Sequence, residues 1–112
     1  MSWKINYTRH AMDDLKAIYE YIAYELLVPD TAKRQSDRIM KAIRTLDNMP
    51  ERYKVYEEEP WKSQNIRYFP VDNYLIFYLP KKETGIISII RIIYGRQDIK
   101  RELLQTTDTS IK

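Results

Sequence analysis

The sequence predicts an α+β fold in the order β-α-α-β-β-β, an antiparallel sheet with a two-helix hairpin packed on one face. Three observations lead there. Apolar residues recur at helical spacing in two successive segments joined by a short proline-containing link. Three apolar, aromatic-rich segments follow within residues 65–94, separated only by turn-like stretches, as in an antiparallel meander. A short alternating segment opens the chain.

In order, Trp3–Thr8 alternates Trp3, Ile5 and Tyr7 with Lys4, Asn6 and Thr8, a strand with one buried face. Thr8 can cap a helix starting at Arg9, in which Ala11, Leu15, Ile18, Tyr19, Ile22 and Leu26 make the apolar stripe. Asp13 and Asp14 suit the positive end of its dipole, and Pro29 stops it near Leu27 or Val28. Asp30 can cap the second helix, with Thr31 at its start and Ala32, Ile39, Ala42, Ile43 and Leu46 facing inward. Lys33, Arg34, Arg38, Lys41 and Arg44 fill its other side, as a solvated face or a surface for an acidic partner. Pro50 ends that helix, and Glu51–Gln64 is irregular, with Trp61 and Pro60 anchoring it.

Asn65–Pro70 reads as a strand with Ile66 and Tyr68 on one face and Arg67 and Phe69 on the other. Val71–Asn73 turns, Tyr74–Leu79 is a nearly continuous apolar strand, and Pro80–Gly85 turns again. Ile86–Tyr94 is the last strand, and Ile99, Leu103 and Leu104 suggest a closing helix. Residues 1–104 are expected to be one domain, with a polar, frayed tail over 105–112.

Composition narrows the chemistry. The 112 residues carry no cysteine, one histidine (His10) and two glycines, so thiolate catalysis, a cysteine or histidine metal site and a Gly-rich phosphate loop have nothing to draw on. No cofactor and no metal are expected, and His10 reads as a surface residue. No apolar stretch reaches the ~20 residues that cross a bilayer, and MSWKINYT is unlike a signal peptide, so a cytoplasmic protein with no membrane partner is expected. The net charge of +3 favours a polyanionic partner, nucleic acid or an acidic protein segment.

Arg91 stands inside the apolar run Ile86–Ile93, where an unpartnered guanidinium would be costly. Strict alternation puts Ile87, Ile89, Arg91 and Ile93 on one face, expected to be the open face away from the helices. A positively charged hollow floored by isoleucine would result, with Arg67 joining Arg91 at its mouth and Arg96 and Lys100 just beyond the strand.

The pattern resembles the RelE/ParE superfamily of bacterial type II toxin–antitoxin toxins over about residues 3–104. The matching stretches are Ala11–Leu15 at the first helix, "YEYIAYELLVPDTA" across the helix turn, "IRYFPVDNYLIFY", and "IIRIIYGRQDI" at the closing strand. The resemblance implies a RelE/ParE-like fold and a growth-arresting toxin, associated with plasmid stabilization and neutralised by a small, acidic cognate antitoxin. That antitoxin would lay a C-terminal segment over the helices and sheet edge. The target implied is messenger RNA on the ribosome for RelE-like members and DNA gyrase for ParE-like members.

The residue chemistry leans toward ribosome-dependent mRNA cleavage by a metal-independent endoribonuclease. Arg67 and Arg91 would stabilise charge on the scissile phosphate, Tyr94 would stack on a base or donate a proton, and Arg96 would hold the flanking backbone. Lys54, Lys62 and Lys100 are candidate substrate-binding residues. Equally, Arg67 and Arg91 can pair with acids such as Asp98, Glu57 or Glu58, and Tyr94 can simply pack. Many ParE-like chains carry histidine where Tyr94 stands, and no general base is evident. The alternatives are a ParE-like gyrase inhibitor without hydrolytic activity and a non-enzymatic antitoxin-binding module.

Overall fold

The apolar run around Arg91 needs cover on both faces, and the chain places it inside a sheet. In the computed structural model, which describes residues 3–106, this run is β4 (Ile86–Tyr94). It is flanked by β1 (Lys4–Tyr7) and β3 (Tyr74–Lys81), and β2 (Arg67–Val71) completes the order β1-β4-β3-β2. The last three strands form the expected antiparallel meander, closed between β2 and β3 by Asp72 and Asn73, with Asp72 at φ 56°. β1 adds to β4 in parallel, Lys4 opposite Ile86 and Tyr7 opposite Ile89, so the sheet is mixed.

Helices α1 (Arg9–Glu20) and α2 (Pro29–Arg44) make the expected hairpin. Thr8 caps α1 as its sequence position suggests: its hydroxyl oxygen accepts from the Ala11 N–H at 3.2 Å. Two boundaries differ from expectation. α1 gives way at Tyr21–Glu25 to a wider π-turn. α2 begins at Pro29 itself, because proline's fixed φ suits a first helical position, and this puts Asp30 in the first turn rather than at the cap. A short helix α3 (Ile99–Thr106) follows β4 and takes in Gln105 and Thr106. The packing expected of Leu103 and the tail at 107–112 lie outside the described residues.

The helical face of the sheet buries Ala11, Ile39, Ile43 and Leu46 against Phe69, Ile76, Tyr78, Ile87, Ile89 and Ile92. Tyr78 is fully buried and its hydroxyl donates to the Pro50 carbonyl at 2.6 Å, tying the end of the hairpin segment to the sheet. The opposite face is not the open one that was expected. Residues 55–66 fold back over it, bridged to the sheet edge between Val55 and Arg67, and Trp61 is completely buried there with Ile66, Phe77, Leu79, Ile90 and Ile93. Ile99 of α3 packs on the same cluster. Aromatic edges from Tyr56 and Trp61 meet Phe77 at 5.2 Å each, so the cover is a second core.

A bulge explains why simple alternation misassigns β4. Phe77 pairs with Arg91 but Tyr78 pairs with Ile89, leaving Ile90 as an extra residue. The expected set therefore splits, with Ile87 and Ile89 under the helices and Ile93 under Trp61, where Ile90, expected on the other face, joins it.

Two outcomes follow for stability. Trp61→Ala should cost about 3–5 kcal/mol in urea unfolding followed by circular dichroism, since a large core side chain is lost. Burial pushes the Tyr78 phenol up to about 12, so its contribution is fully present below pH 10 and lost as pH rises toward 12. Alkaline titration should show cooperative unfolding in that window, with phenolate absorbance appearing together with loss of helical signal.

Candidate functional site

The structure settles what Arg91 faces. β1 stops opposite Ile89, so β4 runs on with one edge unpaired, and side chains of the α1 segment take over. The Thr8 hydroxyl donates to the carbonyl oxygens of Ile89 and Ile90 at 2.8 and 3.1 Å. Further along, Asp14 reaches from α1 and its Oδ2 accepts the Ile92 N–H at 2.8 Å. The same carboxylate receives Arg91 Nε at 2.7 Å and Nη2 at 2.9 Å, a bidentate pair. Glu102 of α3 completes the arrangement: Arg91 Nη2 donates to its Oε1 at 3.0 Å and Nη1 to its carbonyl oxygen at 3.3 Å.

The Arg91 side chain is 10% exposed and that of Asp14 15%. Burial works against the guanidinium charge, but the hydrogen bonds from Asp14 and Glu102 outweigh it and hold the Arg91 pKa above its ordinary value. Arg91 is thus paired with acids, as one reading of the sequence has it, but with Asp14 and Glu102 rather than Asp98, Glu57 or Glu58. Asp98 instead caps α3, accepting the Arg101 N–H at 3.2 Å. Asp14 is the residue that sequence reasoning missed. Its position in the first helix was read only as a favourable charge for the dipole, and the available signal was the need of a buried arginine for an acid on the element packed against it.

The ion triad lies at one end of a groove of about 680 Å³ between the hairpin and the C-terminal ends of β4 and the β2–β3 turn. Ile18, Ile22 and Ile92 give it an apolar floor, and Tyr21, Tyr74 and Tyr94 line it. The rings of Tyr74 and Tyr94 sit 5.7 Å apart, tilted, and Tyr94 is about one-third exposed at 37%. Burial, with the Tyr94, Asp72 and Tyr21 groups nearby, pushes the Tyr74 phenol up. Beyond the groove the hairpin turn presents Tyr24, Leu26, Leu27 and Val28, with Leu27 77% exposed. Leu27 holds φ 58°, a left-handed conformation that a branched side chain seldom adopts.

The other sequence-predicted residues scatter. Arg67 starts β2, two strands from β4, and its Nη1 donates to the carbonyl oxygens of Glu51 and Tyr53 at 3.1 and 2.6 Å. It lines a different, polar concavity with Gln64, Asn65, Lys81 and Glu83. Arg91 and Tyr94 therefore share a groove and Arg67 does not join them. The expected common hollow is absent because Trp61 and its neighbours fill the face on which it was placed. Arg96 is exposed in the turn after β4. Lys54 and Lys62 are exposed on the covering segment and Lys100 is exposed on α3. His10 is half-buried in the first turn of α1. Among the described residues no group of three or more potential ligands is placed to hold a metal ion, and no helix is long and apolar enough to cross a membrane.

Asp14→Asn should cost about 3–5 kcal/mol in chemical denaturation, because it leaves a buried guanidinium short of its main partner. Glu102→Gln, at the more exposed end of the triad, should cost about 1 kcal/mol or less.

Comparison with known proteins adds an independent line. Residues 5–99 match the family model described as the ParE toxin of type II toxin–antitoxin system, parDE. No curated protein matches the chain. Among solved structures, a chain of the chromosomal ParDE toxin–antitoxin system of P. aeruginosa superposes with TM-score 0.68 at 22% identity, over 83% of this chain and 96% of that one. A double mutant of the E. coli toxin RelE in the free state superposes with TM-score 0.62 at 12% identity, over 96% of this chain and 99% of that one. A chain of the RelBE2 toxin–antitoxin complex of M. tuberculosis gives TM-score 0.55 at 18% identity, over 84% and 99%.

Proposed function

The chain belongs to the ParE toxin family of type II toxin–antitoxin systems, and from that premise we propose that it arrests growth by binding DNA gyrase rather than by cutting messenger RNA. The observation that supports this choice is the engagement of Arg91. A phosphate-stabilising arginine must offer its guanidinium to substrate, whereas this one is spent on Asp14 and Glu102. Arg67 lies in a separate concavity. Gyrase inhibition by a ParE-like toxin is a binding event and needs no such constellation.

The mRNA-cleavage reading retains one supporting feature. Tyr94 and Arg96 stand exposed at the end of β4, where a base could stack and a phosphate be held. Under it, Arg67, Arg91, Tyr94 and Arg96 would carry catalysis and Lys54, Lys62 and Lys100 would hold substrate.

The antitoxin partner fits the groove between hairpin and sheet. Its apolar floor and tyrosine walls, continued by Leu26, Leu27 and Val28, suit the apolar face of an amphipathic segment. Exposed apolar residues clustered at one rim are a recognised mark of an interaction surface.

Purified protein should inhibit supercoiling by gyrase and leave transcripts intact on programmed ribosomes in primer extension. Codon-linked cleavage with unaffected supercoiling would reverse the assignment. Inactivity in both assays, with normal growth on induction, would leave an antitoxin-binding module. Leu26→Asp should weaken antitoxin capture at least tenfold in titration calorimetry, as expected for a central apolar anchor, without altering thermal stability of the free chain.

A further inference from the structure

A second surface lies outside the groove, where α2 ends. The positive charges along α2 differ in their partners; Arg34, near its start, donates to the Thr31 hydroxyl at 3.1 Å. Lys33 is bound to Asp37 at 2.9 Å and Arg38 to Asp72 at 2.6 Å, so both are spent within the molecule. Lys41 and Arg44, one turn apart in the last stretch of the helix, have no carboxylate partner among the described residues. They line an open concavity of about 740 Å³ together with Thr45, Asn48 and Arg52, and Asp47 is its one acid.

A helix C-terminus ordinarily repels anions, because its last carbonyls carry partial negative charge. Here Arg52 removes that obstacle. Its Nη1 donates to the carbonyl oxygens of Thr45, at 3.0 Å, and of Asn48. Its Nη2 donates to the hydroxyls of Thr45 at 3.0 Å and Tyr53 at 3.3 Å, and the guanidinium lies 4.8 Å over the Tyr53 ring. Arg52 is therefore held in place and adds a fixed positive charge where the helix end would otherwise be negative.

We propose that the end of α2, through Lys41 and Arg44 with Arg52 as a fixed positive charge beside them, is a contact site for the phosphate backbone of duplex DNA. Phosphate fits better than an acidic peptide because the concavity is wide open to solvent, with its cations at the edge and no closed pocket to seat an apolar anchor. Its only large apolar side chain is Met49, which stands 70% exposed on the rim rather than forming a pocket. Backbone contacts of this kind need cations and amide donors but no apolar anchor. Lys41 and Arg44, about 5–6 Å apart at Cβ as i, i+3 neighbours on a helix, can engage adjacent phosphates. The surface does not overlap the groove and does not rest on the target assigned above.

The test is fluorescence anisotropy with a labelled 20-base-pair duplex of arbitrary sequence, using the full chain at several salt concentrations. Two to three neutralised phosphates give a slope of about −2 to −3 for log affinity against log salt. Lys41→Gln with Arg44→Gln should reduce that slope by about 2 and the low-salt affinity by at least tenfold. Lys33→Gln, on the same helix but already paired, should change affinity less than twofold. Both variants alter exposed residues, and circular dichroism confirms that they fold. Duplex binding that the double variant leaves unchanged would overturn the proposal. So would tighter binding of a polyglutamate peptide than of the duplex, lost in the double variant, which would give the surface to an acidic protein. Failure of gyrase inhibition alone would leave this result standing.

Discussion

The bidentate pair between Asp14 and Arg91 is the contact around which the rest of the molecule is arranged. β4 is three residues past its last parallel pairing, at Ile92, when its edge needs a new hydrogen-bond acceptor, and one carboxylate from α1 supplies acceptors for both the Ile92 N–H and the guanidinium. With one side chain the helical hairpin is registered against the sheet. With its remaining donors Arg91 reaches Glu102, so α3 is registered too. Three elements meet at a charge cluster whose Arg91 and Asp14 side chains are largely buried. Asp14 carries most of the compensation for the buried guanidinium, and Glu102, at the more exposed end, adds to it.

That arrangement also sets the character of the groove beside it. Because Arg91 is neutralised from two directions, the groove offers tyrosine and isoleucine surface rather than a bare positive charge. The π-turn and the left-handed Leu27 then turn apolar side chains outward at the hairpin tip, extending the same surface. On the far side of the sheet, where an open hollow was expected, the covering segment buries Trp61 and closes a second core. The protein therefore presents an apolar surface at the hairpin tip, and Lys41 and Arg44 stand exposed at the far end of α2.

The tie between α2 and the β2–β3 turn shows how the charged helix face is shared between structure and solvent. Arg38 grips Asp72 through two nitrogens and Gln35 adds a third bond, holding the Asp72 carboxyl below the usual carboxylate range. This pair is exposed and contributes little stability by itself. It does take Arg38 out of the cations of α2 that face solvent unpaired, while Lys41 and Arg44 at the helix end stay among them.

By itself the sequence determined the element order, the hairpin, the meander, the Thr8 cap and the buried role of Trp61, because each rests on local periodicity, capping chemistry or the size of an apolar side chain. It also carried enough matching stretches to point to the toxin superfamily. Tertiary structure alone decided the parallel docking of β1, the bulge at Ile90 and the identity of the acids that meet Arg91. These depend on where strands stop relative to one another and on which face a long loop returns to cover. No spacing within one segment encodes such relations: Asp14 and Arg91 are 77 residues apart, and only the folded chain brings them within a hydrogen bond.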